Sequence, residues 1–149
     1  MAALVIFAAL FTWGFWWEPQ RLVVTRAELK LPGLPRELSG LKVALLSDLH
    51  VGSPFWDLPA LARLVERTNA EKPDLVLLAG DYQINDVPGG VFVEAEAIAE
   101  GLSHLRAPLG VHAVLGNHEW WNDGERTRHA VEQRYRFFSY GDAMLVHRC

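Results

Sequence analysis

Three short apolar runs, each cut off by carboxylate, imidazole or amide residues, constrain this chain more than any other feature. "LKVALLSDLH" runs from Leu41 to His50, "DLVLLAGDY" follows Pro73, and "VHAVLGNHE" ends at Glu119. Nearly unbroken apolar runs of this length read as strands covered on both faces, as in parallel sheets. Between the first two lies "DLPALARLVERTNAEK", with Leu58, Leu61, Leu64 and Val65 at helical spacing. Asp57 stands where an N-cap belongs, Pro59 sits in the first turn, and Pro73 stops the helix. A second helix is predicted from about Val91 to Leu105, with Glu94, Glu96 and Glu100 on its solvated face. Strand, helix, strand, helix, strand is the order of βαβ crossovers, which give a parallel sheet covered by helices. The expected fold class is therefore α/β.

In open α/β sheets a ligand site lies beyond the carboxyl ends of the strands. That rim would gather Asp48 and His50, then Asp81, then Asn117 and His118 from distant parts of the chain. Carboxylates, imidazoles and an amide oxygen without thiolate form a mixed nitrogen and oxygen donor set. Such a set suits manganese, iron or zinc better than calcium. In an extended Asp-x-His, Asp48 and His50 project the same way and can face one ion. Asp81 has two oxygens and can bridge two ions. Asn117 adds a neutral oxygen, and Gly80 and Gly116 let the backbone turn into the site. Two ions about 3.5–4 Å apart suit phosphoryl transfer. His118, beside a ligand but aimed elsewhere, is the candidate proton donor or transition-state contact.

"SDLH", "LAGDY" and "GNHE" resemble, in order and spacing, the first three signature blocks of the calcineurin-like metallophosphoesterases, over about Leu41 to Gly124. The resemblance implies Asp48, His50, Asp81 and Asn117 as metal ligands and His118 as the catalytic histidine. It also implies two divalent ions, hydrolysis of phosphoesters, and a partial β-sandwich flanked by helices. "HVGSPFW" and "HEWWNDG" are most similar to the membrane-associated bacterial branch, which includes enzymes cleaving the pyrophosphate of UDP-diacylglucosamine. A lipid-linked phosphoester substrate would suit Phe55, Trp56, Trp120 and Trp121 near the rim. The family completes its site with later Gly-His and Gly-x-His blocks, and this chain has no Gly-His dipeptide. The expectation is then the N-terminal portion of a metallophosphoesterase domain, truncated, with one sheet face uncovered and with weak metal binding. The alternative is an inactive remnant or a non-catalytic membrane protein.

No charged side chain occurs from Met1 to Trp17. That run is at the short end of what spans a bilayer as a helix, and Trp13, Trp16 and Trp17 cluster at its end, where indole rings favour the headgroup layer. Arg21, Arg26 and Lys30 follow, and no Lys or Arg precedes, so the rest of the chain is expected on the cytoplasmic side of a cell inner membrane. A basic leader, a clear cleavage site and a twin-arginine signal are wanting. The division expected is a membrane anchor at 1–18 and the metallophosphoesterase domain at 19–149. "RLVVTRAELKLPGLP" alternates as an edge strand leading into the domain, broken by Pro32, Gly33 and Pro35.

Half of the residues are hydrophobic and 21% charged, a globular composition. A net charge of -4 argues against gripping a phosphate backbone, so no nucleic-acid partner is expected. The single cysteine, Cys149, excludes a domain stapled by internal disulfides. The plainer readings are Asp48 and Asp81 as helix caps, His112 as a packed strand residue, and His104 as a helix C-terminal residue. His129 and His147 read as surface residues, Asp86 and Asp123 as loop residues, and Glu119 as either a surface charge or a partner of the ligands.

Overall fold

The computed structural model describes residues 1–119, 136–140 and 143–147. Two compact units divide the chain, Met1–Gly33 and Leu34–Cys149.

In the first unit, α1 (Ala2–Thr12) continues through a π turn at Trp13–Trp17 and a 3-10 turn at Glu18–Gln20. Phe7, Phe11 and Phe15 recur every four residues and stack along one side, at centroid separations of 6.2 and 4.6 Å. Ala2–Gln20 is one continuous helix of 19 residues with mean hydropathy 1.3, long and apolar enough to cross a membrane. At 1.5 Å per residue it is about 29 Å long, close to a bilayer's hydrocarbon thickness. The strand expected in "RLVVTRAELKLPGLP" does not form: the chain from Arg21 to Leu31 has no regular structure. Val23, Leu29 and Leu31 are exposed there. Alternation and β-branched residues make a strand only where a neighbour supplies the ladder, and no described strand pairs with this segment.

The second unit has β1 (Val43–Leu46), α2 (Leu58–Ala70), β2 (Leu75–Leu78), α3 (Ala95–Leu102), β3 (Val111–Ala113), β4 (Arg136–Tyr140) and β5 (Ala143–His147). They form one sheet in the order β1-β2-β3-β5-β4. The β1, β2 and β3 pairings are parallel, as βαβ order demands, and β5 closes antiparallel on β3 and β4. The α/β class and the three-stranded parallel core stand as expected.

Register decides which face is buried. Leu46 lies opposite Leu78, and Leu78 opposite Ala113. Ala44 aligns in the same way with Val76, and Val76 with Val111. This face packs against Leu61, Leu64 and Val65 of α2 and Ile98 and Leu102 of α3. Asp57 caps α2 through a 2.9 Å bond from the Ala60 amide, as expected. Leu58 is exposed rather than buried with its helical partners, because it precedes the first turn that reaches the sheet. On the opposite face, β1 leaves Val43 46% and Leu45 65% exposed. The double coverage read from the apolar run therefore does not hold for β1: among the described residues nothing covers that face over Val43 and Leu45, in line with the expectation of one uncovered sheet face.

The second helix is shorter than its periodicity predicted. Residues 91–94 stay extended because the Val91 amide bonds to the Gly52 carbonyl at 2.8 Å and the Val93 carbonyl accepts from Gln83 Nε2 at 3.0 Å. A backbone held by those partners cannot also close helical bonds. Glu94, Glu96 and Glu100 are exposed, as the pattern predicted.

Candidate metal centre

The carboxyl ends of β1, β2 and β3 are joined beyond the strands themselves. The Asp48 amide donates to the Gly80 carbonyl at 3.1 Å, the His50 amide to Asp81 at 3.0 Å, and the Val51 amide to Tyr82 at 2.8 Å. The Val114 amide bonds to Leu78 at 2.9 Å. Loops tied in this way place side chains from three strands on one rim.

Asp48, His50 and Asp81 adopt left-handed backbone, with φ of 53°, 40° and 56°. Such conformations cost non-glycine residues roughly 1–3 kcal/mol each and cluster at functional sites. This corrects the extended Asp-x-His geometry: Asp48 and His50 reach a common region through two left-handed turns. The His50 Nε2 atom lies 4.0 Å from Asp48 Oδ1. Asp48 also accepts a short bond from the Ser47 hydroxyl, and its side chain is 65% exposed.

His50, Asp81 and His118 each offer one ligand atom, and these atoms lie within 4.8 Å of one another. The His50 and His118 rings meet edge to face with centroids 4.6 Å apart. His50 Nδ1 sits 3.2 Å from the Gln83 carbonyl. A carbonyl only accepts, so the neutral tautomer that fits carries its proton on Nδ1 and offers the Nε2 lone pair. A histidine oriented by a carbonyl in this manner is the usual arrangement of a metal ligand. One Asp81 oxygen, Oδ1, accepts the His118 amide at 3.1 Å. That bond fixes the carboxylate against the start of the 117–119 helical turn. The expectation that His118 aims away from the ligands is not what the geometry gives, since its ring shares their space. Asn117 is exposed at the start of that turn.

Sequence reasoning left Glu119 undecided and passed over Gln83 and Tyr82. Glu119 is fully buried. Its Oε1 accepts from the amides of Tyr82 at 2.7 Å and Gln83 at 3.3 Å, and its Oε2 from those of Asp81 at 2.9 Å and Gly116 at 2.7 Å. Four donors saturate both oxygens, which is what permits burial of a carboxylate. Glu119 thus locks the loop after β2 to the loop after β3. The buried Tyr82 donates its hydroxyl to the Val114 carbonyl at 2.6 Å, bridging the same loops. The signal in the sequence was an acidic residue placed between the strand-end Asn117 and His118 and the apolar Trp120 and Trp121.

Gly80 and Gly116 do more than turn the chain. A Cβ at Gly80 would stand 2.5 Å from the Gly116 nitrogen, and one at Gly116 would stand 2.1 Å from Asp81 Oδ1. The two strand ends cross where no side chain fits. The plainer readings hold for His112, whose Nε2 lies 3.2 Å from the Leu109 carbonyl, and for His104, just past α3 and 4.0 Å from Glu100. Trp120, Trp121, Asp123 and His129 lie outside the described residues, as does the side chain of His147 in β5.

The calcineurin-like phosphoesterase family model matches residues 41–146, from the foot of β1 to the end of β5. The chain belongs to that family. Among relatives, a transmembrane protein with metallophosphoesterase domain of Danio rerio is 33% identical over 119 residues, 80% of this chain and 26% of the relative. The UDP-2,3-diacylglucosamine pyrophosphatase LpxG of Chlamydia muridarum is 29% identical over 119 residues, 78% of this chain and 34% of the relative. The uncharacterized metallophosphoesterase YkuE of Bacillus subtilis is 31% identical over 102 residues, 68% and 34% of the two chains. The chain spans about a quarter to a third of the length of these curated relatives. No solved structure matches it. The family uses divalent metals, and the imidazoles and carboxylate that converge here are donors of the type that holds them.

Proposed function

We propose that this chain carries the strand-end part of a dinuclear metal site that hydrolyses phosphoester or pyrophosphate bonds. The observation that carries the reading is the convergence of His50, Asp81 and His118 ligand atoms within 4.8 Å at the ends of three parallel strands. Asp48, His50, Asp81 and Asn117 are the metal ligands in this reading. His118 is the catalytic histidine in this reading, the group that would give a proton to the oxygen leaving phosphorus. Divalent ions at such a site activate water and neutralise charge on the phosphoryl oxygens. The chain's own groups divide the remaining work. Gln83 holds the His50 ring, the Asp81 carboxylate would help hold the ions, and Glu119 fixes the loop that carries Asp81 and Gln83 to the one after β3.

Ala2–Gln20 is proposed as a membrane anchor, with the following domain on the cytoplasmic side of the inner membrane. The support is the length and hydropathy of that helix, the Arg21, Arg26 and Lys30 that follow it, and a relative named as transmembrane. A lipid-linked substrate with a pyrophosphate or phosphodiester is the finer proposal. It draws support from the similarity to a relative named as a UDP-2,3-diacylglucosamine pyrophosphatase.

The test is manganese-dependent hydrolysis of bis-p-nitrophenyl phosphate by the longest natural polypeptide containing this sequence, compared with its Asp81→Ala variant. The expected result is a rate reduced at least about 100-fold by the substitution, the scale on which removal of one catalytic contact acts. Equal turnover in the two proteins would overturn the reading. Metal content measured on the same preparations decides against the non-catalytic alternative when about two ions per chain are found.

A further inference from the structure

Two loops beside His50 carry an exposed apolar surface that the metal reading leaves unused. The first is the turn Ser53–Trp56, closed by a 2.9 Å bond from the Trp56 amide to the Ser53 carbonyl. Pro54 and Phe55 are its central residues. Phe55 has φ of 68° and is 38% exposed. Proline followed by positive φ is the pattern of a type II turn, whose second central position ordinarily takes glycine or asparagine. A phenylalanine there is strained and also costs apolar exposure. The second loop is 87–93, in which Val91 is 73% and Phe92 51% exposed. The Val91–Gly52 backbone bond joins the two loops, and Gly89 lies against Pro54. Gln83 links them to the metal site, since its carbonyl meets His50 and its amide side chain holds Val93.

The geometry points to this paired-loop lip, Phe55 with Val91 and Phe92, as a surface that inserts into the interface of a lipid bilayer beside the metal site. Residues 51–56 and 87–93 contain no Lys, Arg, Asp or Glu, and the exposed carboxylates Asp57, Asp86 and Glu94 border them, so the lip is an apolar crest with a polar rim, the form that membrane interaction sites take. Contiguous exposed apolar patches mark interaction sites, whereas single exposed residues do not. The inference rests on the proposal that Ala2–Gln20 anchors the chain. Residues 21–33, between the helix and the second unit, can extend at most roughly 45 Å, which is long enough for any side of a domain of about 35 Å to meet the bilayer. The tether does not choose the side; the exposed apolar crest of Phe55, Val91 and Phe92 does. At the other end of the sheet, Lys72, Asp74 and Arg106 line a cleft with Leu109, and their charges favour water.

The experiment places nitroxide labels in the full chain, with Cys149→Ser removing the native thiol, reconstituted in dioleoylphosphatidylcholine vesicles. Labels are attached through Phe92→Cys, Phe55→Cys, Leu109→Cys and Leu10→Cys, one at a time. Collision rates with oxygen and with a water-soluble nickel chelate report depth. The expected result is a several-fold excess of oxygen over nickel collisions at 92 and 55, of the same sign as at 10, and the reverse at 109. Water-like ratios at both 92 and 55 would overturn the inference. Shielding from both reagents at those positions would overturn it too, in favour of a second protein surface. The label at 10 separates the two readings: bilayer at 10 with water at 92 and 55 rejects the lip and leaves the anchor standing. Neither readout needs a metal ion or turnover, so the metal proposal stands or falls independently.

Discussion

Glu119 Oε2 accepts the backbone amide of Asp81 at 2.9 Å, so a buried carboxylate after β3 holds the residue after β2 whose side chain converges with His50 and His118. The same carboxylate takes three further amides. Its two oxygens serve two donors each, one from each side of the gap on Oε2, and the arrangement acts as a clasp between strand ends.

Glu119→Gln leaves one oxygen for four amides and turns an NH2 group toward two N–H donors. Buried donors without acceptors cost roughly 1–3 kcal/mol each. The expected loss is about 2–5 kcal/mol, read from urea unfolding followed by circular dichroism. Stability within about 0.5 kcal/mol of the parent, the range of an ordinary surface substitution, would show that the clasp carries no strain-free role of this kind.

Gly116→Ala would bring a methyl to 2.1 Å from Asp81 Oδ1 and 2.5 Å from the Asp81 nitrogen. Backbone and carboxylate must both shift. Overpacking of this kind costs about 1–3 kcal/mol. The variant should also bind manganese at least about 10-fold more weakly, the effect usual for disturbing a group that orients a ligand. Isothermal titration of parent and variant checks this; equal affinities contradict the crossing as described.

His50→Ala should separate the site from the fold. The side chain is about a third exposed, and its described polar contacts are with the Gln83 carbonyl and the Asp48 carboxylate. Manganese affinity should fall by at least 10-fold, while the thermal midpoint moves by no more than a few degrees. A large drop in the midpoint would instead make His50 a structural residue.

Phe55→Gly should raise stability. Glycine adopts φ of 68° without the left-handed penalty of about 1–2 kcal/mol, offset in part by the greater freedom of glycine in the unfolded chain. The net expectation is a gain of about 0.5–1 kcal/mol in a urea titration. A loss of more than that would mean the ring contributes packing that its exposure conceals.

The parallel core was legible because apolar runs and helical spacing both report burial, and here they alternate in βαβ order. Asp57 was legible as a cap because capping is local. The strand expected after Arg21 was not, since a ladder depends on a neighbour that alternation cannot reveal. The start of α3 shifted from Val91 to Ala95 because Gly52 and Gln83, remote in sequence, hold the extended segment before it. At the site, residue types and strand-end positions pointed to His50 and Asp81. The left-handed turns that aim them did not follow from Asp-x-His read as extended chain. Glu119 stayed ambiguous for the same reason: its four donors come from residues 35 or more positions upstream as well as from Gly116 nearby.

The amide bonds from Asp48 to Gly80, His50 to Asp81 and Val51 to Tyr82 extend the pairing of β1 and β2 past the last strand residue. Protons on those amides should therefore exchange with solvent as slowly as those of the sheet interior, and the rim should open only when the domain does. A rim with no melting of its own keeps its shape until global unfolding.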